Sequence, residues 1–238
     1  MFHVKQYNMD FKIIAIDGPA GVGKSTIANL LAEKLGVFYV DTGAMFRCLA
    51  WKWEKLGCPE NEESLLQLGD QTRIVFEKNK VICDDVDVTD LIRSELISSH
   101  ASKISSFYSI REVMKKQQRE LIDEVRKSEE YKGAVLEGRD IGTVVFPEAQ
   151  FKFFLDASPE IRARRRMLQI CEQDKDENYE EILEQIIERD NQDRNRKIAP
   201  LIPAKDAIIL DTGNMPLLKV LDHLVSLVVT ENISDISL

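Results

Sequence analysis

Gly18-Pro19-Ala20-Gly21-Val22-Gly23-Lys24-Ser25 carries the clearest chemistry in the chain, because its spacing is G-x-x-x-x-G-K-S. In that pattern glycines let backbone N–H groups wrap a phosphate and the start of a helix adds partial positive charge. Lys24 then reaches the β and γ phosphates, and the Ser25 hydroxyl, followed by Thr26, is placed to ligate Mg²⁺. The predicted ligand is a nucleoside triphosphate with Mg²⁺ that keeps several of its waters. The bland alternative is a glycine-rich turn with a chance lysine, and the buried strand before it and the amphipathic helix after it weigh against that.

Arginine supplies the second signal. Arg162, Arg164, Arg165 and Arg166 stand together, Arg189, Arg194 and Arg196 follow, and Arg47, Arg111 and Arg139 are isolated. A solvated helix face accounts for Arg164 and Arg194 but less well for the set. Arg162, Arg165, Arg166 and Arg189 flank an acidic connector at residues 172–181, a hairpin suited to closing over a nucleotide. The planar guanidinium fork grips two phosphate oxygens at once and stays charged at every relevant pH. Direct transfer between two nucleotides gathers about five or more negative charges within a few ångströms, so an acceptor that already carries phosphate needs more arginine than an alcohol does.

The elements that must position these residues read as an α/β pattern. Residues 11–16 (FKIIAI) form a buried strand before the loop, residues 25–35 a helix stopped by Gly36, residues 37–40 a second strand, and residues 44–56 a helix ending at Gly57. Strand and helix alternating through short links predict a parallel sheet covered on both faces. The rhythm resumes with strands at 134–137 and 151–155, helices at 159–170 and 179–189, and a strand at 207–210. A last helix carries the stripe Leu217, Val220, Leu221, Leu224, Val225 and Val228. Between 59 and 107, short alternating runs at 73–76, 79–83 and 86–88 predict small antiparallel strands with flanking helices, an insertion outside the parallel sheet.

Composition narrows the field. The 238 residues hold 32 Lys plus Arg against 41 Asp plus Glu, a net charge of −9, which argues for small phosphate ligands over nucleic acid. With 44% hydrophobic and 31% charged residues the chain is expected to fold. A membrane span needs about 20 apolar residues, whereas the stretch at 217–229 is broken by Lys219, Asp222 and His223, so no membrane partner is expected. No secretory leader is read in the first 24 residues, and Cys48, Cys58, Cys83 and Cys171 show no C-x-x-C spacing. They read as reduced thiols in a cytoplasm. Asp-x-x-Gly and Asn-Lys-x-Asp, the marks of a GTPase, are not found. Asp156, ending the run 151–156, stays open between a metal-bound water and a helix cap, and Asp17 between the metal's surroundings and bracing the turn. A P-loop kinase of another acceptor, UMP or shikimate, and a non-enzymatic nucleotide-gated regulator are the rival readings.

Four blocks together resemble the bacterial cytidylate kinases, of the nucleoside monophosphate kinase group of P-loop kinases. They are the loop, Asp41-Thr-Gly-Ala-Met-Phe-Arg47, Glu137-Gly-Arg-Asp-Ile-Gly-Thr-Val-Val-Phe-Pro147 and Glu188-Arg-Asp-Asn-Gln-Asp-Arg-Asn-Arg196, in order and spacing from about residue 12 to 229. The resemblance implies a three-layer P-loop kinase fold with a five-stranded parallel sheet in residues 1–58 and 108–238. It also implies a mobile lid at about 157–195 and a β-rich monophosphate-binding subdomain at 59–107. It implies reversible phosphoryl transfer from ATP to CMP and dCMP, with Mg²⁺, and the chain is expected to work as a monomer.

Carried over residue by residue, the resemblance puts Thr42, Arg47, Arg139 and Arg196 on the acceptor phosphate and Arg189 and Asp193 on the ribose hydroxyls. It gives cytosine to Ser102, Arg111 and Asp140. Asp140 suits the N4 amine, and Arg111 and Ser102 suit the acceptors at N3 and O2. Lys24 and the lid arginines Arg162, Arg165 and Arg166 are expected to stabilise the transferring phosphoryl. The chain departs from the pattern with Phe46 for tyrosine, Thr42 for serine and Glu137 for aspartate.

Overall fold

A computed structural model of the chain describes residues 11–77, 80–171 and 178–234. Its centre is strand β1 (Lys12–Asp17), whose unbroken apolar run is explained by having a neighbour on each side and helices on each face. Strands β2 (Phe38–Asp41), β6 (Gly133–Gly138), β7 (Phe151–Asp156) and β8 (Ile208–Asp211) complete a five-stranded sheet. The order is β2-β6-β1-β7-β8 and every pairing is parallel. Such a sheet presents its ligand crevice beyond the carboxyl ends of its strands.

One face is covered by α1 (Lys24–Leu35) and α8 (Leu217–Ser234). Ile14, Ile16, Phe153 and Leu155 pack there against Ile27, Leu31, Val220, Leu221 and Leu224, the stripe foreseen in the sequence. α1 ends at Gly36, whose φ of 64° lets its N–H turn back onto the last carbonyls of the helix. On the other face, α2 (Thr42–Lys55) buries Leu49 and Trp53 against Ile13, Val40 and Leu136. Burial of each such side chain is worth roughly 2 kcal/mol.

The insertion comprises α3 (Glu62–Asp70), antiparallel strands β3 (Ile74–Glu77), β4 (Lys80–Cys83) and β5 (Val86–Asp87), and α4 (Glu95–Ile104). Asp84 and Asp85 both adopt left-handed backbone, with φ of 47° and 64°, and make the tight turn between β4 and β5. Helix contributes more residues than strand. Cys83, Val88, Ile92 and Ile97 join the same apolar cluster as α2, so the insertion shares the main core.

α5 (Tyr108–Ser128), not foreseen in the sequence, places Ile110, Val113, Met114 and Ile122 in that cluster. α6 (Pro159–Cys171) and α7 (Tyr179–Asn195) follow the strands as expected, but α7 runs six residues beyond the predicted end. The core of the expected acidic connector, residues 172–177, lies outside the described residues.

Candidate active site

The loop leaves β1 at Gly18, where a Cβ would collide with the Leu155 carbonyl oxygen on β7, so the tight passage admits glycine alone. Gly21 and Gly23, with φ of 74° and 95°, then turn the backbone into α1. Lys24 is 5% exposed and donates to the Pro19 carbonyl at 2.7 Å, folded over its own loop. Burial and the nearby Arg139 guanidinium push its pKa down to about 7. Asp17 accepts from the N–H groups of Ile141 and Gly142 at 2.9 and 2.8 Å. It is therefore the brace between β1 and the π-helical turn Ile141–Val145, and burial raises its pKa to about 6.

Glu137 closes β6 beside this loop. It is 4% exposed and accepts from Tyr39 Oη at 2.9 Å and from Ser25. Burial pushes its carboxyl up, and Asp41 adds to that, while Lys24 opposes it. The sequence leaves Asp156 open between a metal-bound water and a helix cap. Asp156 instead accepts from Ala157 N–H and faces Arg194 at 3.7 Å, lining a neighbouring cleft of about 510 Å³. Glu137 also ends an apolar run in a carboxylate, but β6 and β7 both neighbour β1, so side-chain placement alone sets Glu137 beside Lys24 and Ser25 and Asp156 apart from them.

Facing the loop across a cleft of about 230 Å³ are all nine residues expected at the acceptor: Thr42, Arg47, Ser102, Arg111, Arg139, Asp140, Arg189, Asp193 and Arg196. Asp41 caps α2 through the Ala44 N–H and holds Arg47 at 2.8 Å, while Thr42 donates to the Glu137 carbonyl at 2.6 Å. From α5, Arg111 reaches Asp140 at 3.0 Å, and Arg196 meets the other oxygen of Asp140 at 3.8 Å. Asp193 receives Arg139 at 2.9 Å and Arg196 at 3.5 Å. Burial would raise Asp193, but these arginines hold it below the usual carboxylate range.

The two extra turns of α7 matter here, since they set Arg189 and Asp193 four apart on one helix face. Arg196 is anchored as the helix ends, its Nε donating to the Ala199 carbonyl at 2.5 Å. Burial lowers the pKa of both Arg189 and Arg196 to about 10, aided by Arg139 and Arg111 respectively. Among the described residues the Nε of Arg189 finds no acceptor. Ser102, on α4, donates to Gln192 of α7 at 3.4 Å, so insertion and α7 touch over the cleft.

Arg162, Arg165 and Arg166, the three arginines expected on a lid, lie outside this cleft. Arg162 is 1% exposed, bound at both Nη atoms to Asp190, with further donations to the Ala157 and Ala20 carbonyls at 2.9 and 3.0 Å. Arg165 donates to the Thr212 carbonyl at 2.6 Å, and Arg166 meets Glu95 of the insertion at 3.4 Å. The structure thus makes Arg162 a tie between the phosphate loop and α7. Trp51 and Trp53 are both core residues, Trp53 donating to the Pro59 carbonyl at 2.7 Å. Cys48 and Cys83 are buried free thiols. No helix among the described residues is long and apolar enough to cross a membrane.

Six cationic side chains and four carboxylates among the described residues line the cleft of a chain whose net charge is −9. Cations are gathered in that number where donor and acceptor both bring phosphate, and the class so defined is the ATP-dependent nucleoside monophosphate kinases, built on the P-loop kinase fold. Known proteins narrow the class. The chain belongs to the cytidylate kinase family, whose sequence profile matches residues 14–230. It is 43% identical over 218 residues to a cytidylate kinase of Desulfitobacterium hafniense, covering 90% of this chain and 91% of that one. With a cytidylate kinase of Clostridioides difficile the identity is 39% over 215 residues, covering 90% and 96%. A solved shikimate kinase from Bacteroides thetaiotaomicron aligns over 91% of this chain and 98% of its own, at 16% identity and a TM-score of 0.43.

Proposed function

We propose that the enzyme transfers the terminal phosphoryl group of ATP reversibly to CMP and dCMP, giving ADP with CDP or dCDP. The observation that carries this reading is the convergence of Arg47, Arg111, Arg139, Arg189 and Arg196 on the mouth of the phosphate loop. The acceptor phosphate is ionised near neutral pH, so alignment and charge neutralisation suffice and no general base is needed. Thr42, Arg47, Arg139 and Arg196 take the acceptor phosphate, and Arg189 and Asp193 the ribose. Ser102, Arg111 and Asp140 read cytosine. A carboxylate at Asp140 accepts from the N4 amine and would meet the O4 of uracil lone pair to lone pair, which leaves a buried group unpaired.

Ser25 and Glu137, two hard oxygen donors in contact beside Lys24, fit a divalent ion delivered with the nucleotide and would hold it there. Bound Mg²⁺ supplies charge neutralisation on the phosphate oxygens. Gly18, Pro19, Ala20, Gly21, Val22, Gly23, Lys24, Ser25 and Thr26 enclose the triphosphate, and Lys24 stabilises the moving phosphoryl. Arg165 and Arg166 are the lid cations, while Arg162, already fully paired, acts by holding the loop in shape. Closure excludes water that would otherwise consume ATP. The same reading makes the enzyme a cytoplasmic monomer, and the net charge of −9 supports small nucleotides over nucleic acid as its ligands.

A coupled ADP-release assay across CMP, dCMP, UMP, AMP and shikimate tests the proposal. CMP and dCMP should show the highest kcat/KM, and faster turnover of AMP or shikimate would overturn it.

A further inference from the structure

Tyr39 and Glu137 belong to neighbouring parallel strands. Asp41 is registered opposite Glu137 and Tyr39 opposite Val135, so Tyr39 and Glu137 are diagonal neighbours on one sheet face. That face is the one covered by α1, and the Tyr39 ring packs into its apolar cluster. Phenylalanine would fill the same space, yet the phenolic oxygen lies 2.9 Å from Glu137 Oε1. The carboxylate oxygen can only accept, so the phenol O–H is the donor of this bond. Glu137 in turn accepts from Ser25 and feels the charge of Lys24, the two side chains with which the loop handles phosphate and cation.

We propose that Tyr39 is a positioning residue for the donor half of the reaction: its O–H fixes the Glu137 carboxylate against Ser25 and Lys24 and so sets how tightly the Mg²⁺-bearing triphosphate is held. The inference rests on the phosphate loop being the ATP site and is independent of which acceptor the enzyme uses. A carboxylate with one oxygen tied to a rigid strand presents the other in a fixed direction, and loss of such a supporting hydrogen bond commonly weakens metal affinity by about 10-fold or more. Nothing in the loop motif itself signals Tyr39, because the contact arises from strand register.

The test compares the enzyme with its Tyr39→Phe variant. Binding of an unhydrolysable ATP analogue is titrated calorimetrically with and without Mg²⁺ and with no acceptor present. Affinity with Mg²⁺ should fall about 10-fold, while metal-free affinity should change by less than about 2-fold. In a Glu137→Gln background Tyr39→Phe should add nothing, the non-additivity expected of a residue acting through another. Tyr39→His, which restores a donor, should recover part of the Mg²⁺ dependence. An equal loss with and without Mg²⁺, or an undiminished effect in the Glu137→Gln background, would overturn the proposal. Because no acceptor enters the titration, an assay that refuted CMP would leave this result standing.

Discussion

Replacing Asp190 with alanine strands Arg162. That guanidinium is 1% exposed, and Asp190 takes both of its Nη groups. Removing one partner of a buried ion pair costs about 3–5 kcal/mol, mostly because the other charge is left uncompensated. The Ala157 and Ala20 carbonyls still accept from Arg162 in the variant, at 2.9 and 3.0 Å in the parent, which favours the lower end, about 3 kcal/mol. In a chain of this length each kcal/mol moves Tm by about 2–4 °C, so a fall of roughly 6–12 °C is expected in calorimetric melts. Asp190→Leu combined with Arg162→Met should return to within about 1 kcal/mol of the parent, since a well-packed apolar pair of similar volume replaces a buried salt bridge at little cost. A fall below about 2 °C for Asp190→Ala would refute the claim that this pair ties α7 to the phosphate loop.

Three other outcomes follow from the site. Asp140→Ala should lower the preference for CMP over UMP by about 5- to 150-fold in kcat/KM, the equivalent of 1–3 kcal/mol for one mispaired buried group; unchanged discrimination would remove Asp140 from base reading. Lys24, at about 7 when folded and 10.5 when unfolded, leaves the unfolded chain holding the extra proton between those values, so its contribution to stability rises with pH across that window. Phosphate binding favours charged Lys24, so at pH 8 ATP should bind with proton uptake, read from calorimetry in buffers of different ionisation enthalpy, and Lys24→Met should abolish it.

The phosphate loop was legible in the sequence because its function depends on spacing along one covalent stretch. The parallel sheet was legible for a similar reason, since strands buried on both faces leave unbroken apolar runs such as the IIAI of β1. α5 escaped notice because charged residues at most exposed positions mask the interior stripe of Ile110, Met114 and Ile122. The last turns of α7 escaped for a different reason. They bury Asp190 and Asp193 rather than apolar side chains, and hydrophobic periodicity does not register carboxylates that are buried by arginines. The arginines were found by count and by resemblance, but which of them face the cleft is a matter of packing. Arg162 and Arg189 look alike in the sequence, yet the first is enclosed in a salt bridge and the second lines the cleft. Glu137 and Tyr39 required knowing that β6 lies between β1 and β2.

The chain of contacts Arg139, Asp193, Arg196, Asp140, Arg111 is a form of preorganisation. Each carboxylate keeps long, flexible cations in register as the chain folds, so much of the rotamer entropy that a guanidinium forfeits on gripping phosphate has been given up already. A nucleotide entering such a lattice trades places with an internal anion instead of gathering loose arms. The internal carboxylates it must displace offset part of the affinity that preorganisation gives, which suits an enzyme that must release a product differing from its substrate by a single phosphate.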